Sequence, residues 1–171
     1  PELRVRPGET SGVRITTLTH VCLTEDSFQP HRAVPLGQPI FGGVILKLID
    51  NCAGIAAFRH TRTNVVTASI EDTNLVAPVV VGNLVTARAT VVFTSSRSIE
   101  IACAVVAESA REGRCHIVAR ATLVFISLSD EGKVLPVQQI DEPAEGTRER
   151  RLFDQAKARY NARRAARQAK N

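Results

Sequence analysis

The chain has 171 residues, 44% apolar and 23% charged, with four Cys, no Trp and no Met. That length fits one domain with one sizeable core, and no apolar run approaches the ~18 residues a membrane-crossing helix needs. The net charge of +5 is uneven: residues 147–171 hold nine Lys/Arg against two acids, or +7, which leaves −2 on the rest. Basicity is therefore a property of the tail, and a nucleic-acid-binding domain is disfavoured. Position 1 is Pro, so the chain is expected to be a processed product or a piece of something longer, with its true N-terminus not visible. Residues 13–22 alternate rather than forming the continuous apolar stretch of a signal peptide.

Residues 1–12, with Pro1, Pro7, Gly8 and Gly12, read as a loose lead-in, and a first strand is expected at 13–22. The segment 27–43 holds three Pro and three Gly and reads as a long shaped loop. From Val44 to His60 the period becomes helical. Ile45, Leu48, Ile49, Cys52 and Ala56 fall on one stripe. Asp50 lies away from that stripe, flanked by Gly43, Gly54 and Ala57, so one carboxylate is expected on a strip of very small residues open to close approach.

Beyond the helix the period is two. Strands are expected at 65–76, 83–94, 98–109 and 114–128, broken at Gly82-Asn83, Thr94–Arg97 and Arg111–Gly113. Val85, Ala87, Ala89, Val91 and Phe93 are expected to share one face. So are Cys115, Ile117, Ala119, Ala121, Leu123 and Phe125. The connections are too short for parallel crossovers, so the strands should form an antiparallel meander. An α+β fold follows: about five antiparallel strands curved around one central helix, with sheet edges that call for a partner. From about Thr147 a basic helix is expected, with thin apolar content (Leu152, Phe153, Ala156, Tyr160) that leaves it exposed or packed on one edge.

The four cysteines lack CxxC spacing and the four histidines lack HxxxH spacing, so reduced, mostly buried thiols and no metal are expected. No GxSxG elbow occurs, which disfavours a Ser-His-Asp hydrolase.

FGGVILKLIDNCAGIAAFRH (41–60), followed by NVVTASIEDTNLVAPVVVG (64–82) and FTSSRSIEI (93–101), resembles the acyl-CoA thioesterases of the hotdog superfamily, in their cytosolic long-chain acyl-CoA hydrolase branch. ISLSDEGKVLPVQQIDEP (126–143) and the tail are similar too. The resemblance spans roughly residues 20–165 and implies a hotdog domain at 13–143 with an appended basic helix at 144–171. It implies hydrolysis of fatty acyl-CoA to free acid and coenzyme A. Coenzyme A is then part of substrate and product, and no cofactor is needed.

The matching Asp is Asp50, expected as general base or nucleophile. Gly42 and Gly43 lie where the helix start can stabilise the thioester oxyanion. One helix cannot aim its own start and a residue two turns on at one atom, so a partner's helix or loop is implied. Active relatives carry Asn seven residues before the Gly pair and Gly four before it. Here Pro35 and Gln38 stand at those positions, with Gln38 a candidate to orient carbonyl or water. Asn51 is a further polar candidate, facing another direction.

The resemblance also implies a place beside the pocket for Thr67 and Asn74 and one near the coenzyme A phosphates for Ser96, Arg97 and Ser98, while the guanidinium forks of Arg59, Arg159, Arg163 and Arg164 are candidates to meet the polyanionic nucleotide. The implied assembly is a homodimer, built into a trimer of dimers, or a pairing with a second hotdog domain that supplies the Asn. The implied compartment is cytoplasmic or mitochondrial. A non-catalytic or half-site acyl-CoA-binding subunit is the alternative.

Overall fold

The computed structural model describes residues 15–27, 37–109 and 113–169. The lead-in at 1–12 and Pro35 fall outside them. Strand β1 (Ile15–Val21) and a single 3-10 turn (Thr24–Asp26) precede the central helix α1 (Gly42–Thr61). Then come β2 (Asn64–Leu75), β3 (Asn83–Thr94), β4 (Ser98–Ser109), β5 (Cys115–Leu128) and the final helix α2 (Arg148–Gln168).

The five strands form one antiparallel sheet in the order β1-β3-β4-β5-β2. The expected meander therefore holds only for β3, β4 and β5. Strand β2 pairs with β5, from Asn64↔Leu128 to Leu75↔Ala119, and β1 occupies the edge of β3 that a meander would have given to β2. Seven residues link β2 to β3. Extended, they reach about 23 Å, more than the roughly 14 Å across three strand spacings. A short link thus excludes a parallel crossover but does not force adjacent pairing.

Inside the curve of the sheet lies α1. All five stripe residues are buried, joined by Ala53 and Ala57. They pack on Val85, Ala87, Ala89 and Val91 of β3, Ile99, Ile101, Cys103 and Val105 of β4, and Ala119, Ala121, Leu123 and Phe125 of β5. With so many alanines facing it, the helix can sit close to the sheet. It ends where Arg62 turns left-handed (φ 59°), its N–H bonding the Phe58 carbonyl, while Arg59 and His60 complement the negative helix end.

Two bulges break the expected strand faces. A register shift between Val91 and Phe93 turns Phe93 away from α1, onto the outer face with Val92. A second shift, opposite Val105/Val106, puts both Val118 and Ala119 in the core and leaves Cys115 and Ile117 exposed. One extra residue reverses a period of two.

Helix α2 lies on the outer face. Thr147 caps it, its hydroxyl accepting from Arg150 N–H at 3.1 Å. Phe153 and Ala156 are buried against Val92 and Phe93, and Phe93 stacks edge-on with Phe153 at 5.5 Å and tilted with Tyr160 at 5.4 Å. The thin apolar stripe of α2 suffices to dock one face of it. Among the described residues no helix is long and apolar enough to cross a membrane.

Candidate active site

The start of α1 is pinned by backbone bonds from both sides. Phe41 N–H donates to the Asp26 carbonyl (2.9 Å), Ile40 N–H to Val79 (2.8 Å), and Val81 N–H to Gln38 (2.9 Å). Asp26 is itself fixed by the Leu23 N–H (2.9 Å) and His20 (2.7 Å), which hold its carboxyl below the usual carboxylate range. No side chain caps the helix, so its first amides keep the partial positive charge of the N-terminus.

Side chains are crowded at both glycines. A Cβ on Gly43 would collide with the ring of Phe41 unless that exposed ring swung aside, and one on Gly42 would lie 3.0 Å from Leu75 Cδ1, which would have to give slightly. Beside Gly42 opens a cleft of about 400 Å³, lined by Ile40, Ile45, Leu75, Val79 and Val118 among others.

Asp50 lies on the same helix, half-buried, and its Oδ1 accepts a 2.7 Å hydrogen bond from the Thr67 hydroxyl of edge strand β2. The helix rises about 1.5 Å per residue, which sets Asp50 roughly 12 Å along the axis from Gly42. A single chain therefore does not bring the carboxylate and the helix start together. The small-residue strip is also narrower than expected. Ala57 is fully buried, Gly54 faces Phe125 (a Cβ there would be 3.7 Å from the ring), and Phe41 covers Gly43.

The other candidates are dispersed. The Gln38 amide donates to Ser27 Oγ (2.7 Å). Asn74 donates to the Asp72 carbonyl (3.1 Å), at a turn where Asp72 has φ 48°. Arg59 reaches Thr16 Oγ1 at 3.4 Å, in the last turn of α1. Ser96 and Arg97 are exposed at the β3–β4 hairpin tip, where Ser95 and Ser98 share a 2.7 Å hydroxyl bond. Arg159 and Arg163 meet carboxylates within the chain: Arg159 pairs with Glu100 (2.7 Å), and Arg163 with Glu100 (2.6 Å) and Glu71 (2.7 Å). Arg164 is exposed.

Glu100, only 1% exposed, escaped the sequence reading. It sits among apolar residues of β4, and its partners lie 59 and 63 positions away, so no local pattern marks it.

Three cysteines are buried and Cys115 is exposed. Burial, then the nearby Asp26, pushes the Cys22 thiol up to about 11. The neighbouring Cys52 thiol and burial both push Cys103 up. Such thiols are poor nucleophiles. Among the described residues no cluster of three His, Cys, Asp or Glu is placed to hold a metal ion.

Residues 37–114 match the family model for the Thioesterase superfamily, which spans α1, β2, β3 and β4. The chain carries a thioesterase-superfamily domain. Over 131 residues, 75% of its length, the chain is 37% identical to the cytosolic acyl coenzyme A thioester hydrolase of Homo sapiens. It spans only 34% of that relative's length. Its fold is shared with an apo-hexameric acyl-CoA thioesterase (TM-score 0.76, 29% identity, covering 90% of this chain and 92% of that one). The acyl-CoA hydrolase of Bacillus cereus is equally similar (TM-score 0.76, 28% identity, 92% and 90%). The helix wrapped by a five-stranded antiparallel sheet is thus the hotdog architecture of these enzymes.

Proposed function

We propose that this domain hydrolyses acyl-CoA thioesters to the free acid and coenzyme A, with Asp50 as the reacting carboxylate. One observation carries the reading: a half-buried carboxylate on the central helix, fixed through one oxygen by Thr67 at 2.7 Å, in a chain related to acyl-CoA thioester hydrolases. With Oδ1 so held, Oδ2 is available to take a proton from water as it attacks the carbonyl carbon, or to attack that carbon itself. In the first course water supplies the new C–O bond, the C–S bond breaks, and the coenzyme A thiolate takes up a proton. In the second the C–S bond breaks as a mixed anhydride with Asp50 forms, coenzyme A leaves as the thiolate and takes up a proton, and water cleaves the anhydride to free the acid and Asp50.

The oxyanion needs donors that Asp50's own helix start, about 12 Å away, does not provide. We assign them to Gly42 and Gly43 of a second copy, approaching along β2. That edge exposes Val66, Ile70 and Leu75, at 45%, 46% and 51%, the kind of apolar edge a partner strand covers. A homodimer joined there, and further assembly of dimers, accords with the hexameric state of a structural relative. The cleft between Ile45, Leu75 and Val118 is assigned to the acyl chain. Arg97, exposed at its hairpin tip with Ser96 and beside the half-buried Ser98, leads the residues assigned to the coenzyme A phosphates together with Arg59, and Thr67 and Asn74 are assigned to the pocket. Arg159 and Arg163 are not assigned to the phosphates, since both are held by Glu100 and Arg163 by Glu71 as well. A cytoplasmic location follows the human relative, which is named cytosolic.

A second reading is supported by the loop before α1. Pro35 stands where active relatives carry Asn, and the Gln38 amide is engaged with Ser27. The chain is then an Asp-bearing half-site that binds acyl-CoA and needs a partner domain for turnover. Release of free thiol from a saturated acyl-CoA series, by the chain and by Asp50→Ala, separates the two. Activity lost in the variant supports the hydrolase. Coenzyme A binding without turnover in the unaltered chain supports the half-site.

A further inference from the structure

Strand β2 is held unevenly. Its ladder with β5 shifts register twice, between Thr67 and Ser69 and again between Glu71 and Asn74, and Asp72 within the second break has φ 48°. Thr67, the residue bonded to Asp50, therefore borders a short paired stretch, Ser69 to Glu71, that is set off from the rest of the ladder by a bulge at each end.

A contact from the opposite face of the sheet reaches that stretch. Glu100, buried on β4, accepts from Arg159 Nε (2.8 Å) and Arg163 Nη2 (2.6 Å). The second nitrogen of the same Arg163 guanidinium, Nη1, donates to Glu71 Oε2 (2.7 Å). Glu71 Oε1 in turn accepts from Ser69 Oγ (2.8 Å), two residues from Thr67.

We propose that Arg163, bridging Glu100 and Glu71, is a positioning residue for the reaction: it clamps β2 from the outer face and so sets the reach of Thr67 to Asp50. The physical case is the planar fork of arginine. One end is anchored on a carboxylate that burial makes costly to leave unpaired, and the other is left to grip a strand. A lysine could hold one carboxylate but not both in fixed geometry. The C-terminal helix, outside the core and bearing no reacting group, thereby becomes part of the site's construction. This inference rests on the assignment of Asp50 and Thr67 above.

The test is a double-mutant cycle between Glu71→Gln and Thr67→Val. Glu71 is 27% exposed and its loss leaves Glu100 paired with both arginines, so the fold is retained. Expected is a fall in kcat of about fivefold in Glu71→Gln with KM changed less than about twofold, and little further loss when it is added to Thr67→Val. Arg163→Lys should match Glu71→Gln in kcat. The Asp50 carboxyl 13C resonance at fixed pH should move in Glu71→Gln, a readout that needs no turnover. A Glu71→Gln protein that loses thermal stability but keeps both kcat and the Asp50 resonance overturns the proposal, as do effects that simply multiply. If the unaltered chain shows no turnover, the hydrolase reading fails and the resonance alone decides the clamp.

Discussion

The two faces of the sheet are built on different principles. The inner face meets α1 through small and branched aliphatic side chains, with Asp50 held at its margin by one hydroxyl. The outer face meets α2 through a short aromatic contact, Phe93 with Phe153 and Tyr160, and through a buried carboxylate gripped by two arginines. Close alanine packing fixes the helix that bears the candidate carboxylate. Directional ion pairs fix the edge strand that aims it. A site on the inner face draws its geometry from both, so damage to either should be distinguishable.

Asp50→Ala should give the largest effect, a loss of about 10²–10⁴-fold in turnover with coenzyme A affinity and urea midpoint little changed. Phe153→Ala acts on the other face. Opening a cavity against Phe93 should cost about 3–5 kcal/mol of unfolding free energy in urea titrations, and any loss of kcat should follow the loss of folded protein.

Thr67→Val touches neither core. The hydrogen bond it removes lies at an exposed position, so the melting temperature should move little, while kcat should fall roughly ten- to a hundredfold in steady-state assays as Asp50 loses its fixed orientation. Asp26→Asn should give the smallest effect. The folded carboxyl of Asp26 titrates below its ordinary 3.8, so its contribution to stability is present above that value and fades as pH falls through the folded one. Urea midpoints of wild type and variant should therefore differ at pH 7 and converge as the pH falls below the ordinary 3.8.

Much of this was legible in the sequence. The stripe from Ile45 to Ala56 gave the buried face of α1, and the period-two segments located four strands within a residue or two of their ends. Strand order was not legible, because the length of a link bounds the distance it spans but does not choose its neighbour. The flips of Phe93, Cys115 and Ile117 were hidden as well, since a single bulge leaves no signature in composition. Within the site, Asp50 and the Gly pair stood out through a resemblance carried by a continuous block. The partnership of Asp50 with Thr67 joins a helix to the next strand across 17 positions, and that of Glu100 with Arg163 joins a strand to the tail across 63. Neither is periodic, so only the folded chain displays them.

Subunit complementation shows whether Asp50 of one copy works with the helix start of another. Asp50→Ala and Gly43→Val proteins, each folded and inactive alone, would be unfolded together, refolded and assayed for thiol release. Half of randomly formed pairs are mixed, and a two-fold interface gives each mixed pair one site with both groups intact, so about a quarter of the wild-type rate should return. A mixture no more active than its separate components, beside an active wild type, would contradict this pairing and remove the second copy's helix start from the site of Asp50.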